Sequence, residues 1–152
     1  MTEILIDHLA SLATTIIGLV CGIPIAFWVN RKIDIRRQRD EASRILSVFK
    51  DEIDHNISIL NQMLQKSKSI FFYNLRLTFW EVFSRKLEII ENNDLVSHLA
   101  RLYFKYQYLS EEIDKAVKEG YVLDKEIMED YIPKLTVMSK ELLTEIDTEL
   151  SS

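Results

Sequence analysis

The chain has 152 residues, a net charge of −5 and 47% hydrophobic residues, so it is long enough for one domain with a small core. Cys21 is the only cysteine, which excludes a disulfide within the chain and argues against a zinc site. The acidic balance argues against a general DNA- or RNA-binding role, which requires a broad basic face, so no nucleic-acid duplex is expected as a partner.

The stretch from Leu9 to Val29 is apolar and carries no charged side chain. A helix of this length would extend about 30 Å, the thickness of the hydrocarbon core of a bilayer. A cleaved signal peptide would have cations before the apolar run, whereas here Glu3 and Asp7 precede it. We therefore predict a transmembrane anchor over residues 1–30.

Residues 31–39 form a basic juxtamembrane collar. Its cations are Arg31, Lys32, Arg36, Arg37 and Arg39. Positive residues favour the cytoplasmic side, so the sequence predicts a single-pass protein of a prokaryotic inner membrane with its N-terminus outside and its C-terminal domain in the cytoplasm. The collar is expected to face anionic lipid, although a topology signal alone would also explain it.

Small residues recur every four positions within the predicted span, at Thr14, Gly18, Gly22 and Ala26. Small side chains let two helices approach closely, so this stripe predicts self-association into a homo-oligomer. Pro24 removes one backbone donor and is expected to kink the helix near its cytoplasmic end.

Residues 40–152 are predicted to form a cytoplasmic bundle of about four helices, which makes the fold class all-α. The chain has neither Gly nor Pro between 30 and 67, so the N-terminal helix is expected to continue into the bundle. Its apolar stripe steps by three and four residues, as in an amphipathic helix. The stripe consists of Leu46, Phe49, Ile53, Ile57, Leu60 and Leu64.

The segment 70–91 is rich in aromatic residues and satisfies both the helical and the strand spacing. It is longer than a typical strand and has no hairpin turn, so a helix is predicted. The rings are expected to form a buried cluster. Stacking of a base on Tyr73 or Trp80 is the alternative.

Two further helices are predicted after residue 91. The Asn92–Asp94 segment can cap a third helix, and Gly120 can end it in the left-handed conformation. Asp124 can cap a fourth helix, and Pro133 is expected to kink it or split it in two.

The sequence contains none of the common catalytic or phosphate-binding loop motifs. Asp51 and His55 share a helix face, but two metal ligands without a third are more typical of a solvated surface. We therefore predict a protein that is not an enzyme, with no catalytic residues, no metal site and no cofactor.

Cations near aromatic residues are the candidates for ligand binding, because this combination suits phosphate and base. Arg101, Lys105 and Tyr108 are predicted to share one helix face, which Glu112 continues with a charge that repels phosphate. A solvated face is the alternative. The full set of candidates is Arg76, Arg85, Lys86, Arg101, Lys105 and Tyr108.

The layout resembles that of small prokaryotic proteins of unassigned function with one N-terminal span and a helical domain. The resemblance rests on DEIDHNISIL (51–60), LRLTFWEVF (75–83) and LVSHLARLYFKYQYLSEEI (95–113). The layout is also similar to that of CRISPR-associated membrane effectors that bind cyclic oligoadenylates through a helical cytoplasmic domain. This second resemblance implies a nucleotide second messenger and a role in antiviral defence, but it assigns no site residues.

These observations lead to two functional hypotheses. The first is an oligomeric single-pass membrane effector or sensor, in which the bundle receives a signal, for example a cyclic oligonucleotide, and the spans perturb the membrane. The second is a passive membrane anchor or scaffold whose acidic bundle recruits a partner protein.

Overall fold

The computed structural model describes the backbone of residues 2–65 and 74–151. Side chains are described from residue 15 onward within these ranges, except those of residues 16, 17, 19 and 21. The chain divides into two compact units, unit 1 (Met1–Asp40) and unit 2 (Glu41–Ser152).

Every regular element in the described ranges is helical, which confirms the all-α prediction. The four α-helices are α1 (Thr2–Gln65), α2 (Thr78–Phe83), α3 (Asn93–Glu119) and α4 (Ile132–Ser151). A 3₁₀ segment (Ser84–Ile89) follows α2, and a π-helical turn (Ile127–Tyr131) precedes α4. The predicted continuation of the N-terminal helix past residue 30 is confirmed by the bounds of α1.

The predicted transmembrane helix is contradicted. Within the part of the chain that the structure describes, none of the helices has a stretch that is both long enough and apolar enough to cross a bilayer. From Arg31 onward α1 carries charged side chains, and the later helices carry them throughout, so the described helices beyond residue 30 offer no apolar stretch of the required length. The single-pass location in an inner membrane, which depended on this helix, is corrected with it.

The predicted helix ends in unit 2 are confirmed at three positions. The Asn92 side chain accepts a 3.1 Å hydrogen bond from the Leu95 N–H and so caps α3. Gly120 ends α3 with a φ of 72°, a conformation that a side chain would disfavour. Asp124 accepts a 3.1 Å bond from the Glu126 N–H.

The core of unit 2 is formed by one face each of α1, α3 and α4. The predicted stripe of α1 is buried from Leu46 to Leu60, but Leu64 is exposed and Met63 takes its place inside. On α3, helical spacing from Leu95 also predicts Val117 inside, but Val117 is exposed and Ala116 is buried in its place. Both differences are shifts of one residue at the end of a stripe.

The aromatic segment is partly helical. Residues 74–77 are irregular, α2 and the 3₁₀ segment follow, and residues 70–73 lie outside the described part. Asn56 of α1 is completely buried and holds the irregular stretch with two hydrogen bonds, of 2.8 Å from the Arg76 N–H and 2.9 Å to the Arg76 carbonyl. The Trp80 ring stacks on Tyr103 of α3 at 4.9 Å, so the predicted aromatic cluster is confirmed for these rings.

Candidate functional site

A groove of about 290 Å³ lies between α3 and α4 on the surface of unit 2. Its walls combine two apolar side chains with five polar or charged ones, so the groove is more polar than most small-molecule sites. The residues that line this α3–α4 groove are His98, Arg101 and Lys105 from α3, and Met138, Glu141, Leu142 and Glu145 from α4.

A buried polar contact joins the two helices that form the groove. The Tyr106 hydroxyl and the Ser139 hydroxyl lie 2.7 Å apart in the core, and Ser139 also donates to the Leu135 carbonyl at 2.7 Å. Burial raises the pKa of Tyr106, so this hydroxyl keeps its proton. Because both groups are satisfied only in one relative position of α3 and α4, they fix the register of the groove walls.

The charges on the two walls differ. Arg101 and Lys105 supply two cations from α3, while Glu141 and Glu145 supply two carboxylates from α4. His98 lies 2.8 Å from Glu145, but neither Arg101 nor Lys105 is within 4.0 Å of a carboxylate among the described side chains. The α3 wall therefore offers unpaired cations to an anionic ligand.

Lys105 is held by an aromatic pair instead of an acid. Its Nζ atom lies 5.3 Å from the centre of the Tyr131 ring, and the Tyr131 hydroxyl donates to the Lys105 carbonyl at 3.1 Å. Tyr108 meets the Tyr131 ring edge-on, with 5.3 Å between the ring centres. Burial raises the pKa of Tyr131 to about 12, so its hydroxyl remains a donor at neutral pH.

The structure brings only some of the predicted ligand residues together. Arg101 and Lys105 share the groove, and Tyr108 joins them through Tyr131. Lys86 instead pairs with Glu41 at 3.2 Å, and Arg85 is exposed on the 3₁₀ segment. Arg76 is exposed on the irregular stretch beside α1.

Sequence reasoning missed the α4 wall and Tyr131. Nothing in the spacing of α3 indicates which face of α4 it meets, so Glu141 and Glu145 had no reason to be selected. Tyr131 falls on the apolar stripe that helical spacing predicts for the fourth helix, which gave no reason to connect it with Lys105. Pro133 was the available signal for an irregularity here, and the π-helical turn that ends at Tyr131 lies just before it.

The predicted oligomerisation stripe lies in unit 1. Gly18, Gly22 and Ala26 are exposed, and a Cβ built at either glycine meets no described atom within 4 Å beyond its chain neighbours and the backbone of its own helix. The side chain of Thr14 lies outside the described residues. The collar residues Arg31, Lys32, Arg36, Arg37 and Arg39 are all exposed. Lys32 lies 5.1 Å from the ring centre of Trp28. Contact of the collar with lipid stays a prediction.

A second polar centre lies in the core of unit 2. Glu52 of α1 is 1% exposed, and its Oε2 atom accepts a 3.1 Å bond from the Phe79 N–H in the first turn of α2. Its Oε1 atom and the Tyr103 hydroxyl are buried without a hydrogen bond of normal geometry in the described part of the chain. Burial raises the pKa of the Glu52 carboxyl, and the Phe79 N–H and the nearby Tyr103 hydroxyl offset part of that rise.

The described side chains contain no group of three His, Cys, Asp or Glu that is suited to hold a metal ion. Comparison with known proteins gave no match: neither a family model, nor a curated protein, nor a solved structure resembles this chain. The resemblance to CRISPR-associated effectors therefore stays a prediction.

Proposed function

We propose that the protein is a non-enzymatic, oligomeric signal receiver in which unit 2 binds a phosphodiester-containing nucleotide, such as a cyclic oligoadenylate, in the α3–α4 groove. The observation that supports this most directly is the pair of unpaired cations, Arg101 and Lys105, on one wall of the α3–α4 groove. Tyr108, 46% exposed beside them, offers a ring on which a base can stack.

The opposite wall suits a phosphodiester better than a terminal phosphate. A phosphodiester carries one negative charge, whereas a terminal phosphate approaches two at neutral pH. Glu141 and Glu145 repel the extra charge, and Glu141 can accept a hydrogen bond from the amino group of a base. The two walls together therefore favour a ligand whose individual phosphate groups each carry a single charge and whose bases carry hydrogen-bond donors.

Calorimetric titration of the full chain with cyclic tetraadenylate, and with ATP for comparison, tests this proposal. Arg101→Ala and Lys105→Ala are each expected to weaken binding by roughly tenfold or more, because each removes a charge-assisted hydrogen bond. Glu141→Gln is expected to narrow the preference for the cyclic ligand over ATP. Lys140→Ala, an exposed α4 lysine outside the groove, is the charge-matched control. Absence of binding, or an equal loss in the control, would contradict the proposal.

Self-association is the second part of the proposal. In unit 1, large apolar side chains are strongly exposed on the helix that carries the glycines, among them Val20, Ile23, Phe27 and Trp28, each at least 63% exposed. Exposed apolar surface of this extent is typical of an interface. A second copy of the chain is a suitable occupant, since the same segment supplies both the small residues and the apolar side chains that would cover them.

A scaffold that recruits a partner protein is the second candidate, and Phe104 favours it. This ring is 67% exposed on α3, where a solvated helix face would normally be polar. Phe104→Ser separates the two functions, because it is expected to abolish capture of a partner and to leave the affinity for cyclic tetraadenylate unchanged.

A further inference from the structure

The π-helical turn before α4 has a packing explanation. Ile127 and Ile132 are both buried, at 9% and 0% exposure, although they are five residues apart. In a regular α-helix, five residues correspond to an offset of about 140° around the axis, which would place the two side chains on different faces. The wider turn, closed by a hydrogen bond from the Ile132 N–H to the Ile127 carbonyl, brings both toward the core.

Tyr131 is the last residue of this turn and contacts Lys105 twice. The hydroxyl donates to the Lys105 backbone carbonyl, and the ring lies below the Lys105 ammonium. The two residues are 26 positions apart, so the turn connects α4 to the cation-bearing wall of the groove. Tyr108 packs against the ring edge-on and restricts its orientation.

We propose that Tyr131 is a positioning residue for Lys105, holding the ammonium at the α3–α4 groove for an anionic ligand. This inference rests on the proposed function of the groove. Lysine loses much rotamer freedom when it is ordered, so a contact that orders it beforehand improves affinity. A carboxylate would also order Lys105 but would neutralise it, whereas an aromatic ring leaves its charge available to the ligand.

Two variants distinguish the positioning of Lys105 by Tyr131 from a purely structural role of Tyr131. Tyr131→Phe keeps the ring and loses only the hydroxyl bond, whereas Tyr131→Leu loses the ring. Tyr121→Leu is the matched control, because Tyr121 is 42% exposed and lies outside the groove. The readouts are the affinity for cyclic tetraadenylate and the ring-current shift of the Lys105 side-chain protons in the ligand-free full chain.

The positioning role predicts an upfield shift of the Lys105 ε-protons in the wild type, retained in Tyr131→Phe and lost in Tyr131→Leu. Binding is expected to weaken about two- to fivefold in Tyr131→Leu and to be close to wild type in Tyr131→Phe and in the control. In a Lys105→Ala background the effect of Tyr131→Leu on affinity should disappear.

Three results would overturn the inference: no upfield shift in the wild type, an unchanged shift in Tyr131→Leu, or an equal loss of affinity with and without Lys105. The first of these needs no variant, so it remains decisive if Tyr131→Leu fails to fold. If the wild type shows the shift but binds no cyclic tetraadenylate, the proposed ligand is wrong, and the positioning of Lys105 is still measured by the shift.

Discussion

Glu52 is the most deeply buried charged side chain in the described part of unit 2. Burial raises the pKa of its carboxyl above the value in the unfolded chain. At a pH between these two pKa values, the folded state therefore binds more protons than the unfolded state. The free energy of unfolding contributed by this group therefore falls as pH rises through that window. The buried charge is a cost at neutral pH that disappears in acid.

Glu52→Gln keeps an oxygen acceptor for the Phe79 N–H and removes the charge. The variant is expected to gain stability relative to wild type as pH rises from about 4.5 toward 7, the range above the ordinary pKa of glutamate. Urea unfolding at several pH values measures the difference, with Asp51→Asn, an exposed carboxylate of α1, as the control. If the difference in the free energy of unfolding between Glu52→Gln and the wild type does not change with pH, the claim that Glu52 is a buried charge is wrong.

Asn56 anchors an irregular segment to a helix. Its side chain satisfies both the N–H and the carbonyl of Arg76, and it is itself 0% exposed. Asn56→Ala would leave both backbone groups without these partners in a poorly solvated position, at a cost of about 2–4 kcal/mol in the free energy of unfolding.

Chemical denaturation of Asn56→Ala beside Asn61→Ala checks this expectation. Asn61 lies on α1 and is only partly buried, so its replacement should change the stability by less than about 1 kcal/mol. A similar small change in both variants would mean that residues 74–77 do not depend on the Asn56 anchor.

The elements of unit 2 were predictable where the signal is local. Asn92, Gly120 and Asp124 mark helix ends through their own side chains or backbone, and the structure confirms each of them. The irregular stretch and the π-helical turn were not predictable in the same way, because each depends on a distant partner. The stretch is held by Asn56 on α1, and the turn lets Ile127 and Ile132 share the core.

Only one wall of the groove, the α3 wall, could be predicted from the sequence. The α3 wall follows from helical spacing, which places Arg101 and Lys105 on one face. The α4 wall requires the register between two helices, which the Tyr106–Ser139 contact fixes and no sequence spacing reveals. The membrane prediction failed for a different reason. It rested on the length of an apolar run, and the described helices contain no segment that could span a bilayer.

Self-association through the glycine stripe predicts that filling the stripe with larger side chains dissociates the oligomer. Replacing both Gly18 and Gly22 by Ile should lower the oligomer mass in sedimentation experiments on the full chain, because the side chains fill the space that a second helix would occupy. Isoleucine has a higher helix propensity than glycine, so weaker helix formation cannot account for the loss.

Arg31→Ile is the control for this pair, since it introduces the same side chain about 220° around the helix from Gly18 and lies outside the apolar segment. This variant is expected to retain the oligomer. A monomeric wild type, or an equal loss in both variants, would contradict self-association through the glycine stripe.

NMR titration of the isotope-labelled full chain with cyclic tetraadenylate tests most directly whether a nucleotide occupies the α3–α4 groove. If it does, the largest chemical-shift changes are expected to cluster at the groove residues, which are His98, Arg101 and Lys105 on α3 and Glu141 and Glu145 on α4. Saturating ligand without shift changes, or changes centred on Arg85 and Lys86, would contradict it.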